Sequence, residues 1–339
     1  NFVSGKFCQK FQKEYVKTLI EEIKNYKINK KIFSIFFGGG TPSILPSSEI
    51  NKILNCIKNN FKLTKNVEIS IECNPNSVNF NKLSNYFNMG FNRISFGVQS
   101  LDDEVLKKIG RVHNKNQAIR AIKQAKMAGF NNINVDLLLG IKENKNIFKE
   151  IELLKSLGVT HVSAYMLILE KETPLYKMVN EDKIKLLNEE QSIQEYEKYL
   201  KILNNFGFKR YEISNFCLKG FECKHNLNYW QCGEYVGFGV ASHSYLDGIR
   251  YSNTENICEY VNDYNLKTYE KLSNKEKLEE LIMLGLRTKK GVPLKNLLKY
   301  NYDPLKNKNA LKMLCLKLIK INKTHLYITS KNFGITNQI

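Results

Sequence analysis

No pair of cysteines has the CxxC spacing, so a complete zinc or iron–sulfur motif is not visible in this sequence. The eight cysteines, Cys8, Cys56, Cys73, Cys217, Cys223, Cys232, Cys258 and Cys315, are scattered through a chain too long to need staples. That usage predicts reduced thiols and a cytoplasmic setting rather than disulfides. Long apolar runs are missing as well. None approaches the roughly 18 residues of a membrane-spanning helix, and no basic-then-apolar leader opens the chain, so secretion has no support. Internal repeats and low-complexity linkers are absent. Acidic residues are the minority, 33 against 52 Lys and Arg, for a net charge of +19. The basic residues form no stripe interleaved with aromatics, so the expectation is a solvated basic surface and no nucleic-acid partner.

What is present is a globular composition. With 42% hydrophobic and 25% charged residues, 339 residues supply enough apolar material for a core and for about two domains. The central stretch is Ile35-Phe36-Phe37-Gly38-Gly39-Gly40-Thr41-Pro42-Ser43. Its apolar run reads as a buried strand. The glycines leave the main chain open to a ligand, and Pro42 fixes the exit. A Gly-rich turn alone is a weak signal, but the arrangement recurs. The spacing predicts strands over 32–37, 67–72, 93–97, 133–139 and 162–167. Helices are predicted over 12–26, 47–59, 80–89, 115–128, 147–157 and 189–206, with another beginning near Asp102. Strand and helix thus alternate at least five times. Such alternation implies a parallel sheet covered by helices, as a barrel or a doubly wound sheet.

The polar residues gather at and after the strands: Glu72, Gln99 and Asp136, with Arg111 and His113 in a turn. Parallel barrels keep their sites at that rim, so the pattern points to an enzyme-like pocket. The bland alternative makes Glu72 and Arg111 a structural ion pair. Farther on, 222–245 reads as irregular. From about Asn274 the chain is helical and basic, and it closes on a strand over 326–329. His113, His161 and His243 have no partner pattern and read as structural.

The runs 36–43, Glu72-Cys73-Asn74-Pro75, 93–100, Gly110-Arg111, 136–140 and 211–215 resemble the radical S-adenosylmethionine enzymes of the coproporphyrinogen-oxidase-like group. His225-Asn226-Leu227-Asn228-Tyr229-Trp230, followed by 237–243, is similar to the haem-chaperone branch of that group. The resemblance covers essentially the whole chain. It implies an α/β fold: a partial (β/α)6 TIM-type barrel of the radical SAM kind over 1–217 and a small C-terminal α+β domain over 218–339. The C-terminal region would carry the HNxxYW segment and a small helical or winged module. Family members begin with a strand and a CxxxCxxC loop that holds a [4Fe-4S] cluster. Asn1-Phe2-Val3-Ser4 resembles the residues just beyond that loop, so the cluster cysteines are expected upstream of Asn1, with no metal ligand in this sequence. A lost first strand would bare its neighbour's edge, which favours a truncated record. Gly140-Ile141-Lys142 departs from the family's Gly-Leu-Pro.

The resemblance also implies cofactors and roles. Carbonyls of Gly38, Gly39 and Gly40, beside Thr41, would accept from the methionyl amino group of S-adenosylmethionine. The Arg111 fork would take its carboxylate, and Glu72, Gln99 and Asp136 would meet the ribose hydroxyls and sulfonium. His225 is a candidate haem-iron ligand, with Cys223 as a thiolate alternative and Tyr229 and Trp230 as flat faces for a porphyrin. The bland reading of His225 is a brace of hydrogen bonds. The expected function is a haem chaperone that passes haem to an acceptor protein. The alternative is an oxygen-independent coproporphyrinogen III dehydrogenase, and a third possibility is a cluster-free binding protein that kept only the fold.

Overall fold

The computed structural model describes residues 9–142, 146–171 and 173–329. The opening segment Asn1–Ser4, with its resemblance to the end of a cluster loop, and Cys8 lie outside the described residues. The described part divides into two compact units. One comprises Phe36–Ser47 and Glu68–Glu222. The other comprises the described residues up to Ile35, Ser48–Val67 and those from Cys223 onward.

The first unit is built on strands whose side chains alternate in polarity. The strands are β1 (Ile32–Phe37), β2 (Leu63–Cys73), β3 (Arg93–Gln99), β4 (Asn132–Leu139), β5 (His161–Met166), β6 (Lys209–Arg210) and β7 (Asn215–Cys217). They form one seven-stranded sheet in the order β1-β2-β3-β4-β5-β7-β6. The pairs β2–β3, β3–β4 and β4–β5 are parallel, with helices Phe80–Met89, Lys115–Met127 and Ile147–Ser156 in the crossovers. This is the expected α/β barrel-type sheet.

The last places differ from a parallel series. β7 runs antiparallel to β5, and β6 antiparallel to β7. After the helix Glu189–Asn205 the chain makes a short reversal through Glu212-Ile213-Ser214, so β7 enters the sheet from the rim downward.

On one sheet face Ile69, Ile71, Ile94, Phe96, Val98, Ile133, Val135, Leu137, Val162 and Ala164 are buried, as are Leu83, Ala118, Ile122, Ile151 and Leu154 of the helices. Each of the Val, Leu, Ile and Phe side chains among them contributes about 1.5–3 kcal/mol on burial. Helix ends are set by local chemistry. Asn114 and Gln117 form a reciprocal capping box, and Asn79 caps the helix before Gly90 ends it in the left-handed region.

The second unit contains the long helix Gln9–Asn25 and two small antiparallel sheets. The first is β8 (His243–Leu246), β9 (Ile249–Asn253) and β10 (Lys267–Lys271), in the order β10-β9-β8. Asp247 and Gly248 join β8 to β9 with φ of 51° and 80°, the two-residue turn that matches strand twist. The other sheet is β11 (Val292–Pro293), β12 (Ile319–Ile321) and β13 (His325–Ile328), with helices Asn274–Gly285, Leu294–Leu298 and Lys308–Cys315. The stretch read as irregular forms a two-turn helix, Lys224–Trp230. The seven described cysteines are free thiols. Among the described residues no helix is long and apolar enough to cross a membrane.

Candidate functional site

Strand register assembles the site in the first unit. Glu72 pairs with Ser95, Ser95 with Asn134, Asn134 with His161, and His161 with Cys217. Two residues farther along, Asp136 pairs with Ser163 and Ser163 with Asn215. Residues two apart share a face, so one face of the sheet carries rows of polar side chains while the opposite face is apolar. Arg93 belongs to the same face and is 2% exposed.

At the end of β1 the main chain turns through Gly38, Gly39 and Gly40, all exposed. Gly39 has φ of 104°, a conformation that favours glycine. A Cβ on Gly38 would stand 3.2 Å from Glu72 Oε2 and would collide with the Phe36 ring. The Gly39 N–H donates to the Glu72 carboxylate. Thr41 Oγ1 accepts from Asn74 Nδ2 at 3.2 Å, and Asn74 Oδ1 accepts from Arg111 at 2.7 Å. Arg111 also donates to the Gly97 carbonyl at 2.8 Å. Gln99 has φ of 71°, and the ladder slips between Phe96 and Gln99. A bulge of this kind re-aims a side chain. Gln99 Nε2 lies 3.2 Å from where a Cβ of Gly97 would sit, and Arg111 lies 3.4 Å from the same point.

Asp136 acts electrostatically on both Glu72 and Arg111. Burial pushes the Glu72 carboxyl up to about 7; Asp136 adds to the rise, while Arg93 and the Gly39 N–H oppose it. Burial also raises Asp136, against hydrogen bonds from Ser163, Asn134 and Ser95. Burial lowers Arg111, and Asp136 counters that. Glu72 and Arg111 do not form a simple ion pair: the guanidinium donates to Asn74 Oδ1 and to the Gly97 carbonyl.

The Glu72 shift has a measurable sign. The folded state favours the neutral acid, so this contribution to stability is intact below the unfolded value of 4.5 and is lost as pH rises through about 7. Glu72→Gln stays neutral. Its melting temperature relative to the parent is expected to rise between about pH 5 and about pH 9 in the ligand-free protein. A difference that stays flat over that range would contradict a buried, destabilised carboxylate.

Several residues that the structure brings into this cluster were not singled out from the sequence. Asn74 links Thr41 to Arg111, Arg93 faces both acids, and Asn134 and His161 form a buried hydrogen-bonded pair. Glu212 is fully buried and pushed up to about 7 by that burial, with Oε2 accepting the Ser214 N–H at 3.2 Å. The available signal was the alternation itself: Glu68-x-Ser70-x-Glu72, Arg93-x-Ser95, Asn132-x-Asn134-x-Asp136 and His161-x-Ser163.

The haem candidates lie in the second unit. His225 sits in the helix Lys224–Trp230, with Nδ1 3.3 Å from Ser34 Oγ. Its ring meets Tyr229 edge-on at 4.9 Å, and Tyr229 meets Tyr235 at 4.5 Å. Tyr229 is exposed and Trp230 half-buried. Cys223 precedes the helix and its side chain is fully buried. Among the described residues no group of three or more His, Cys, Asp or Glu side chains could hold a metal ion.

Known proteins place this geometry. The radical SAM superfamily model matches residues 4–154, and the HemN C-terminal domain model matches 272–332. The haem chaperone HemW of Lactococcus lactis is 33% identical, over 96% of this chain and 88% of its own length. HemW of Buchnera aphidicola from Schizaphis graminum is 34% identical, over 94% and 87%. Bacillus subtilis HemW is also 34% identical, over 83% and 77%. Among solved structures, the Escherichia coli coproporphyrinogen III oxidase HemN, a radical SAM enzyme, superposes with a TM-score of 0.80 over 97% of this chain and 83% of that one. At 18% identity that likeness speaks for the fold alone. One-third identity over nearly the full length of several curated relatives decides the kinship: the chain belongs to the HemW family of the radical SAM superfamily.

Proposed function

We propose that this chain is a haem chaperone that binds haem and S-adenosylmethionine and passes the haem to an acceptor protein in the cytoplasm. The observation that carries the reading is the one-third identity to proteins named haem chaperones over nearly all of the chain.

Residues on the sheet rim fit S-adenosylmethionine. The exposed Gly38–Gly40 backbone offers carbonyls to an amino group. Arg111 Nε is buried and, among the described residues, has no hydrogen-bond partner, which suits a guanidinium that receives a carboxylate. Asp136 and Glu72 supply carboxyl oxygens as acceptors for the ribose hydroxyls and as neighbours for the sulfonium, and loss of water around them strengthens each contact. When bound, the cofactor with its [4Fe-4S] cluster supplies the radical chemistry of the superfamily. The work of the chain is to hold the methionyl and ribose groups in one orientation. No described residue is assigned to the cluster.

For haem, His225 offers an imidazole, and Tyr229 packs against that ring on the same face of a short helix. Buried Cys223 is the weaker candidate. His225→Ala is expected to abolish the Soret shift seen on haem addition. Unchanged haem affinity would remove His225 from this role. The second reading, oxidative decarboxylation of coproporphyrinogen, has a direct discriminator. Product formed from coproporphyrinogen, S-adenosylmethionine and reductant by the cluster-loaded protein would overturn the chaperone assignment.

A further inference from the structure

Four buried side chains behind Asp136 fix one another's orientation. Asn134 Nδ2 donates to Asp136 Oδ1 at 2.8 Å and to Ser95 Oγ at 2.7 Å. The Ser95 hydroxyl, already accepting there, turns its own hydrogen toward Asp136 Oδ2 at 3.5 Å. The amide oxygen of Asn134 accepts from Ser163 Oγ at 3.2 Å and faces His161 Nδ1 at 2.6 Å. An amide oxygen carries no proton, so His161 Nδ1 must donate. Nε2 is then the acceptor and receives the Tyr211 hydroxyl at 2.8 Å. His161 is fully buried, and burial together with Arg93 keeps the ring neutral. The tautomer is thereby determined by the network.

The consequence concerns the amide of Asn134. Its two ends differ by a half-turn that costs nothing sterically, but only one orientation puts N–H on the carboxylate. The other would place the amide oxygen against Asp136. The carboxylate selects the first orientation, and His161 Nδ1–H, donating to the amide oxygen, holds it there. We propose that His161, held by Tyr211, is a positioning residue that acts through Asn134 to orient the Asp136 carboxylate toward the cofactor. The inference rests on the reading above that Asp136 faces S-adenosylmethionine. His161 itself touches no cofactor.

The test is a double-mutant cycle in S-adenosylmethionine affinity, measured by calorimetry on the cluster-loaded protein, alongside melting temperature. Asp136→Asn alone reports on the underlying reading: if affinity does not change, the cofactor pocket itself is misassigned. Given a loss there, His161→Phe, which keeps the ring shape but no N–H, is expected to weaken binding by about tenfold. His161→Asn, which places an amide N–H near the Nδ1 position, is expected to restore most of that loss. In the Asp136→Asn background His161→Phe should cost affinity less than about twofold, because the group it orients is gone. A merely structural histidine would lower affinity to the same extent in both backgrounds, and that result, or failure of the Asn variant to restore binding in a folded protein, overturns the proposal.

Discussion

Arg111→Ala is expected to weaken S-adenosylmethionine binding by about a hundredfold, the loss of the charge-assisted contact proposed for its carboxylate in a partly desolvated site. The residue is placed by a short loop. The helix Asp103–Lys108 ends, Gly110 adopts φ of 70°, and the Arg111 side chain reaches the rim of the sheet. One terminal nitrogen donates to the Gly97 carbonyl at 2.8 Å and to Asn74 Oδ1 at 2.7 Å, which anchors the fork and leaves Nε aimed elsewhere. Asn74 in turn donates to Thr41 Oγ1 at 3.2 Å, so the guanidinium is tied to the turn after β1. The cost to folding is smaller, because the two acceptors released are a half-exposed carbonyl and a half-buried amide, each worth about 1 kcal/mol. Arg111→Lys separates charge from geometry. A lysine keeps the cation but not the planar fork, so it should recover only part of the affinity. Calorimetric titration with S-adenosylmethionine, paired with thermal melts, reads both quantities. Equal affinity in parent and alanine variant would remove Arg111 from the cofactor site.

The rim was legible in the sequence for a chemical reason. Glycine, glutamate, glutamine and arginine at or just after apolar runs are costly there unless something uses them, and Gly38–Gly40, Glu72, Gln99, Arg111 and Asp136 do come together. The polar rows behind them were not legible. Alternation in Glu68–Glu72 or Asn132–Asp136 says only that one strand face is polar. Whether that face meets water or a closed interior depends on where the helices lie. His161 therefore read as an ordinary strand residue, although both of its nitrogens are engaged. Length explains other differences. β6 and β7 span two and three residues, too few for any period to register. Five of the seven residues of the helix Lys224–Trp230 are His, Asn, Tyr or Trp, which are mediocre helix formers, and no side chain caps its start. By contrast, the Asp247-Gly248 hairpin carries a strong local turn signal in the sequence itself.

The second large effect is expected in the other unit, where Glu22→Ala should destabilise the fold by about 3–5 kcal/mol, the range for a buried charge removed from its partners. Glu22 lies on the helix Gln9–Asn25 and is 2% exposed. Its Oε2 accepts the Gly239 N–H at 2.9 Å and the Tyr260 hydroxyl at 2.8 Å. Its Oε1 accepts Asn253 Nδ2 at 2.8 Å and Lys267 Nζ at 3.3 Å. One carboxylate thus ties the N-terminal helix to a glycine turn, the end of β9, the helix Ile257–Asn262 and β10. The turn has no slack, because a Cβ on Gly239 would lie 2.7 Å from the Tyr15 hydroxyl and φ there is 101°. Removing the carboxylate strands three donors and an ammonium. Lys267 is the most expensive of these, since it becomes a part-buried cation left with the Tyr251 ring beside it. Adding Lys267→Met to Glu22→Ala should therefore return about 1–2 kcal/mol, whereas Lys267→Met alone should cost less than Glu22→Ala because three neutral donors still serve the acid. Urea unfolding of the single and double variants measures all of these differences. A Glu22→Ala loss below about 1 kcal/mol would show that the carboxylate does not hold these elements together.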